Sequence, residues 1–284
     1  MSWVHLILQS LILDHRLLRV KALPLRQRVR ILASKYRALA SLAAGRSAVI
    51  RLGKNRFEID GFVTLGTLQS SITDLYHEVV QPGLLQGRAA PNVLDVGANV
   101  GQFTHAVKLF YPDAHIQAFE AHAAAYRQLV RNTAGLADVL VHHVALGQHH
   151  GELPFYEHNL SVMSSFQPYV GHEYPDEAVT SVRVRPLDSV AGLPEVVSLL
   201  KVDVEGFELE VLKGAGMTLD KSEHLLVEVS LGRPTVGGTN ADILGLVSAR
   251  HPDATLVVTG RLLGDPSAPI CQDFVFALHP QGSR

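Results

Sequence analysis

From residue 92 onward the chain alternates short apolar runs with stretches of helical periodicity, and few folds accommodate that rhythm. The runs "NVLDVG", "HIQAFE", "VLVHHVAL", "LLKVDVEG" and "HLLVEVS" are largely apolar at consecutive positions. Strands of that kind are buried on both faces. Helices are expected near 101–110, 122–133, 207–213 and 240–250. Strands alternating with helices predict an α/β domain whose mostly parallel sheet is covered on both sides. The rhythm breaks at 151–188, where "GELPFYE" and "SVRVRPLDSV" are expected as strands bracketing a Ser/Tyr/Pro-rich insert, Ser161–Pro175. Two final runs, "ATLVVTG" and "DFVFAL", suit an antiparallel pair.

The first 60 residues are of another kind, so the division expected is an N-terminal helical extension and hairpin, 1–60, ahead of a catalytic domain, 61–284. Val4, Ile7, Leu8, Leu11 and Leu18 recur at helical spacing, and Pro24 ends that element. Leu25, Val29, Leu32, Tyr36, Leu39 and Ala43 alternate steps of four and three, a heptad seam stopped near Gly45. A hairpin is expected around Gly53-Lys54-Asn55, then a helix over Leu68–Val80. The net charge of −2 hides a split: residues 1–56 hold twelve Lys and Arg against one acid, Asp14, a balance of +11, and the remainder carries −13. An acidic body argues against a phosphate-backbone partner, so no nucleic acid is expected to bind it. One cysteine, Cys271, excludes an internal disulfide. No apolar run reaches the length of a membrane span, so a soluble, cytoplasmic protein is expected.

"VLDVGANVGQFT" (93–104) is an apolar strand, an acid, a glycine turn and a helix start. Gly97 permits a sharp turn beside a ligand, and Gly101 a close approach at the helix start. Asp95 stands at the carboxyl end of its strand, where open α/β sheets bind ligands. The glycine spacing is not that of a dinucleotide fingerprint, and no Lys-Ser or Lys-Thr follows as in a P-loop. A ligand with a ribose and no phosphate suits the turn better. Glu120 ends the next strand, nineteen residues after Gly101, where an acid can accept hydrogen bonds from ribose hydroxyls. Alone, Glu120 would equally suit a carboxylate capping the helix that follows; with the glycine turn, an adenosine-type site is the better account.

These segments resemble the Class I S-adenosylmethionine-dependent methyltransferases, and "LLKVDVEGFELEVLKGA" (199–215) narrows the likeness to the FkbM family. Lys201, Asp203, Glu205, Gly206, Glu208, Leu212, Lys213 and Gly214 stand at that family's hallmark positions, with "RVRPLDSV" and "HLLVEVS" fitting beside them. The resemblance covers residues 90–230 and leaves 1–60 unexplained. It implies a Rossmann-like, seven-stranded, mostly parallel sheet with an antiparallel last strand. It implies S-adenosylmethionine as cofactor, with Gly97, Asn99 and Gly101 cradling its methionine and ribose parts, and Glu120 holding the ribose. Val144, Ala145 and Leu146 would border the adenine, and Asp203 would stand beside the sulfonium. Family members typically methylate hydroxyls on sugars, polyketides or glycolipid headgroups, so an O-methyltransferase acting on a sugar or glycoside is expected.

Methyl transfer to an alcohol needs alignment and a group to take the hydroxyl proton. Asp203, Glu205 and Glu228, at adjacent strand ends, are the candidates, and Asp203 with Glu228 would be the ligands if Mg²⁺ is used. Glu205 and Glu208 equally suit a helix N-terminus, and Glu228 a buried pairing with Lys201. Among fifteen histidines, His142 and His143 must face opposite ways, His149 and His150 read as a turn tip, and His158 and His172 flank the insert. Methylation of nucleic acid and a non-catalytic scaffold of the same fold are the rival readings. A homodimer through the N-terminal helices is expected from the heptad seam.

Overall fold

The computed structural model describes residues 3–59, 61–157, 164, 166, 178–231, 236–265 and 268–278. Helices α1 (Trp3–Leu18) and α2 (Leu25–Ala43) lead into a hairpin of β1 (Ala48–Leu52) and β2 (Asn55–Ile59). Helix α3 (Phe62–Leu75) then runs into a π-helical turn at Tyr76–Val80. The alternating region follows as β3 (Asn92–Val96), α4 (Gln102–Phe110), β4 (His115–Glu120), α5 (Ala123–Thr133) and β5 (Val139–His143). Next come β6 (Ala145–Leu146), β7 (Gly151–Glu157) and β8 (Ala178–Arg185). After them stand β9 (Leu199–Val202), α6 (Glu208–Lys213), α7 (Gly216–Asp220), β10 (His224–Ser230) and α8 (Asn240–Arg250). Three strands close the described chain: β11 (Thr255–Thr259), β12 (Leu263–Asp265) and β13 (Ala268–Ala277).

The main sheet runs β11-β13-β10-β9-β3-β4-β5, with β12 appended to β13. The pairs from β10 through β5 are all parallel, and β13 is antiparallel to both of its long neighbours. This is the Class I methyltransferase strand order. The last strand inserts itself between β10 and β11 and pairs antiparallel with each. Side chains alternate between two cores. Val93, Leu199 and Leu226 join one that extends to Leu17, Ile31, Phe57 and Ile72; Leu94, Leu200 and Leu225 join the other, with Leu209, Leu212 and Ile243. The first core is continuous from the N-terminal helices into the sheet. Successive connections leave β3 in opposite directions, toward β4 and toward β9, and open a crevice at the carboxyl ends of β3 and β9. Strands β6, β7 and β8 form a separate sheet in the order β6-β8-β7.

One expectation needs correction. Helix α3 begins at Phe62 rather than at Leu68, because its first turn carries exposed apolar residues, Phe62 and Val63, that break the periodic signal. The α2 seam is divided: Leu25, Val29 and Tyr36 are 60%, 51% and 49% exposed, Leu32 and Leu39 pack against the core, and Ile31, Ser34, Lys35 and Ala38 are buried. A buried ion pair fixes that rotation. Lys35 reaches Asp14 of α1, and the same carboxylate accepts hydrogen bonds from Tyr36 Oη at 2.5 Å and Gln69 Nε2 of α3 at 2.9 Å. A carboxylate this buried is tolerated because it is neutralised and hydrogen-bonded on each side. Among the described residues, no helix is long and apolar enough to cross a membrane.

Candidate cofactor site and carboxylate cluster

The turn after β3 is built around one close approach. Gly97 adopts φ +79°, and a Cβ placed on it would lie 1.7 Å from the carbonyl oxygen of Asp203 at the end of β9. The Gly97 and Ala98 amides both donate to the Phe119 carbonyl at 3.0 Å, tying the turn to β4. Asn99 takes the left-handed conformation (φ 49°), which its short polar side chain tolerates. Its amide thereby donates to Glu120 Oε2 at 2.7 Å, and the His122 amide donates to Oε1 at 2.7 Å. Glu120 is only 8% exposed. Burial raises its pKa to about 7, against the lowering pull of the His122 and Asn99 amides and of Lys201. Gly101 opens α4 at φ +96° and lies against Leu129 and Thr133 of α5.

Lys201 links the two strand ends. Its ammonium donates to the Gly97 carbonyl at 2.9 Å and stands 3.3 Å from Asp95 and 3.1 Å from Asp203. Burial alone would lower its pKa, but Asp203 and Asp95 overturn that and raise it. Asp95 is wholly buried and also accepts a bond from Thr104 Oγ1 at 2.7 Å, so it anchors Lys201 and α4 beneath the turn. The alternative pairing of Lys201 with Glu228 gives way to these two aspartates.

Asp203, Glu205 and Glu228 each offer a carboxylate oxygen within 4.8 Å of the others, and all three are partly exposed. That spacing suits either a shared divalent cation or a polyhydroxylated ligand. Glu205 is held at φ 56°, a conformation a non-glycine residue adopts only when its surroundings impose it. Glu208 supplies part of that constraint: wholly buried, it accepts from the Val204 amide at 3.0 Å and the Gly206 amide at 2.9 Å. Its role is to shape the turn. The Glu228 pKa is raised by burial and then by Asp203, Glu205 and Asp273, the last being its cross-strand partner on β13. Sequence reasoning missed Asp273 and also Glu78, a buried acid on the π-helical turn whose pKa burial and Asp273 raise to about 9. Neither lies in a motif, so only the strand pairing and the helix packing bring them to light.

On the far side of Glu120, the Val144 amide donates to the Glu120 carbonyl at 3.1 Å, and Ala145 and Leu146 are buried beyond it. Phe207 packs on Phe166 at 4.3 Å between ring centres, and Phe166 on Phe155 at 5.1 Å. The His122 ring lies 6.1 Å from Phe155, and its buried Nδ1 finds no hydrogen-bond partner among the described residues. The sequence signal for His122 was its place two residues after Glu120. His142 and His143 do face opposite ways, stacked on Phe119 and Tyr126. His149 and His150 are exposed. His158, His172 and the Ser161–Pro175 insert, except Ser164 and Phe166, lie outside the described residues.

The model of the methyltransferase FkbM domain matches residues 95–251 of the 284, a span that begins at Asp95 and includes Glu120, Asp203 and Glu228. The chain belongs to the FkbM methyltransferase family. It is 36% identical over 155 residues to methyltransferase sdnD of Sordaria araneosa, a match covering 44% of this chain and 60% of that protein. It is 28% identical over 185 residues to the hexuronic acid methyltransferase AglP of Haloferax volcanii, covering 62% and 74%. The chain thus spans less than two thirds of the first relative's length. Among solved structures it is similar to a fibrillarin/Nop5p complex (TM-score 0.47, 13% identity, covering 83% of this chain and 95% of that one).

The FkbM domain's residues fit S-adenosylmethionine chemically. Glu120 has both oxygens oriented by backbone donors and a lone pair left on each for a ribose hydroxyl. The orphaned His122 Nδ1 and the neighbouring aromatic rings suit a purine, and the carboxylate cluster suits a sulfonium cation. Hydrogen bonds to a charged group contribute about 1.5–3 kcal/mol each. Glu120→Gln should therefore weaken S-adenosylhomocysteine binding by on the order of tenfold to a hundredfold in calorimetry. Because the carboxyl titrates near 7, wild-type affinity should fall from about pH 8 to about pH 6 as the acceptor is protonated, and the variant should lose that dependence. Equal affinities would remove Glu120 from the cofactor site.

Proposed function

We propose that this FkbM domain transfers the methyl group of S-adenosylmethionine to a hydroxyl oxygen of a sugar, glycoside or related precursor. The observation that carries the proposal is the convergence of Asp203, Glu205 and Glu228 beside the cofactor turn. An alcohol oxygen attacks the methyl carbon in line, the carbon–sulfur bond breaks, and its electron pair returns to sulfur as a thioether. The hydroxyl proton must leave as the new bond forms. Glu228, whose proton affinity is raised by burial and neighbouring carboxylates, is assigned that proton. Asp203, held by Lys201 at 3.1 Å, orients the hydroxyl, and Glu205 accepts a hydrogen bond from the sugar. If Mg²⁺ is used, Asp203 and Glu228 would hold it, and it would supply charge stabilisation for the alkoxide. The hexuronic acid specificity of one relative supports a carbohydrate acceptor.

The test is methyl transfer from labelled cofactor across a panel of sugars and glycosides, with and without EDTA. Activity surviving EDTA excludes the metal route. Glu228→Gln should lower turnover by about 10²–10⁴-fold while retaining S-adenosylhomocysteine binding; undiminished turnover removes Glu228 from the proton transfer. We place the reaction in the cytoplasm, where a lone thiol such as Cys271 stays reduced. A homodimer would form through the exposed residues of the α2 seam. Such a pair sets Arg26 and Arg28 beside their counterparts with no acid between them, so light scattering should show association tightening as salt rises.

A further inference from the structure

We infer that the cleft between α2 and the β1–β2 hairpin binds a phosphate group. The cleft has a volume of about 200 Å³ and brings together Arg37, Arg51 and Arg56 with Ser34 and Ser41. Arg51 and Arg56 are directly opposed across the hairpin. Like charges in that position destabilise an antiparallel pair unless something of opposite sign lies between them. No carboxylate does: among the described residues none of the three arginines is in an ion pair. The acid nearest in sequence to this hairpin pair, Glu58, faces Arg131 at 3.6 Å instead. The lone acid of residues 1–56, Asp14, is buried against Lys35.

Helix and hairpin are tied together beneath the arginines. Ser34 is buried, and its Oγ accepts the Arg51 amide at 2.9 Å, pinning β1 to α2. Arg37 donates its Nε to the Ala33 carbonyl of its own helix at 3.3 Å, which leaves its terminal nitrogens for a ligand. Guanidinium forks converging on one concavity match the oxygens of a phosphate, with which they form paired, charge-assisted bonds. The serine hydroxyls add neutral donors. Carboxylate ligands are disfavoured by comparison, since two oxygens cannot engage three guanidinium groups bidentately. The phosphate is borne either by a soluble phosphorylated compound or by a phospholipid headgroup. The apolar outward face of the same helix makes the second source physically reasonable.

The full chain is titrated with inorganic pyrophosphate by calorimetry at low ionic strength. Binding is expected, with Arg51→Gln and Arg56→Gln each weakening it by on the order of tenfold or more. Arg30→Gln, an exposed cation of α2 outside the cleft, should change it by less than about threefold, as diffuse screening would. Without ligand, Arg51→Gln should raise the thermal midpoint, because it relieves the opposed pair. Absence of binding, or an equal loss with Arg30→Gln, overturns the proposal. Sedimentation with vesicles of phosphatidylglycerol and phosphatidylcholine, against phosphatidylcholine alone, separates the sources. Loss of vesicle and pyrophosphate binding together in Arg51→Gln supports the headgroup. Loss of pyrophosphate binding with no change at the vesicles supports the soluble compound.

Discussion

Gly97→Ala should cost more than about 4 kcal/mol of folding stability, at the extreme of what one methyl group does. The new Cβ would stand 1.7 Å from the Asp203 carbonyl oxygen and 2.8 Å from its carbonyl carbon. Both are backbone atoms of a buried strand end, so neither can swing aside as a flexible side chain would. The positive φ of 79° adds strain of its own for an L-residue. Relief requires β3 and β9 to part at their carboxyl ends, which breaks the Lys201 bond to the Gly97 carbonyl. Urea unfolding followed by circular dichroism measures the loss. A difference below about 1 kcal/mol would mean that the strand ends are not apposed as described.

Lys201→Met should cost about 3–5 kcal/mol, the usual penalty for removing one partner of a buried ion pair. Methionine fills most of the stem's volume, so packing is largely kept and the loss is electrostatic. Asp95, wholly buried, and Asp203 would then face each other with no ammonium between them. Removing the Asp95 charge as well, in a Lys201→Met/Asp95→Asn double variant, relieves that repulsion and should recover part of the deficit. A double variant no more stable than the single one would assign Lys201 a packing role alone. The variant should also bind S-adenosylhomocysteine weakly, because the Gly97 turn loses its tether.

How much of this was legible in the sequence depends on the range of the interaction concerned. The strands and helices beyond residue 92 declare themselves because apolar periodicity is local, and the glycine turn does so because Gly97 is intolerant of any side chain. Gly214 in the hallmark segment works the same way: a Cβ there would lie 2.0 Å from the Gly147 carbonyl. Helix α2 shows where periodicity fails. Its seam residues divide between core and solvent, and heptad spacing alone cannot say which of them turn inward. The answer lies in Lys35 meeting Asp14, residues 21 positions apart. Likewise Lys201 meets Asp95 because β3 and β9 pair with those two residues in register, and no local pattern encodes a register. Asp203, Glu205 and Glu228 were nameable from strand ends, whereas Asp273 came to light only once β13 was seen beside β10.

The placement of β13 has a consequence for how the molecule is made. It pairs with β10 on one side and β11 on the other, so the two strands that flank it are synthesised before the strand that joins them. A nascent chain that has emerged through β11 carries two unpaired strand edges, and β10 among them already holds Glu228. Exposed edges of this kind invite pairing with other chains. Closure by β13 also brings Asp273 opposite Glu228, so that acid reaches the carboxylate cluster only with the joining strand. Truncation before residue 268 should leave these edges open and raise aggregation, as light scattering would show.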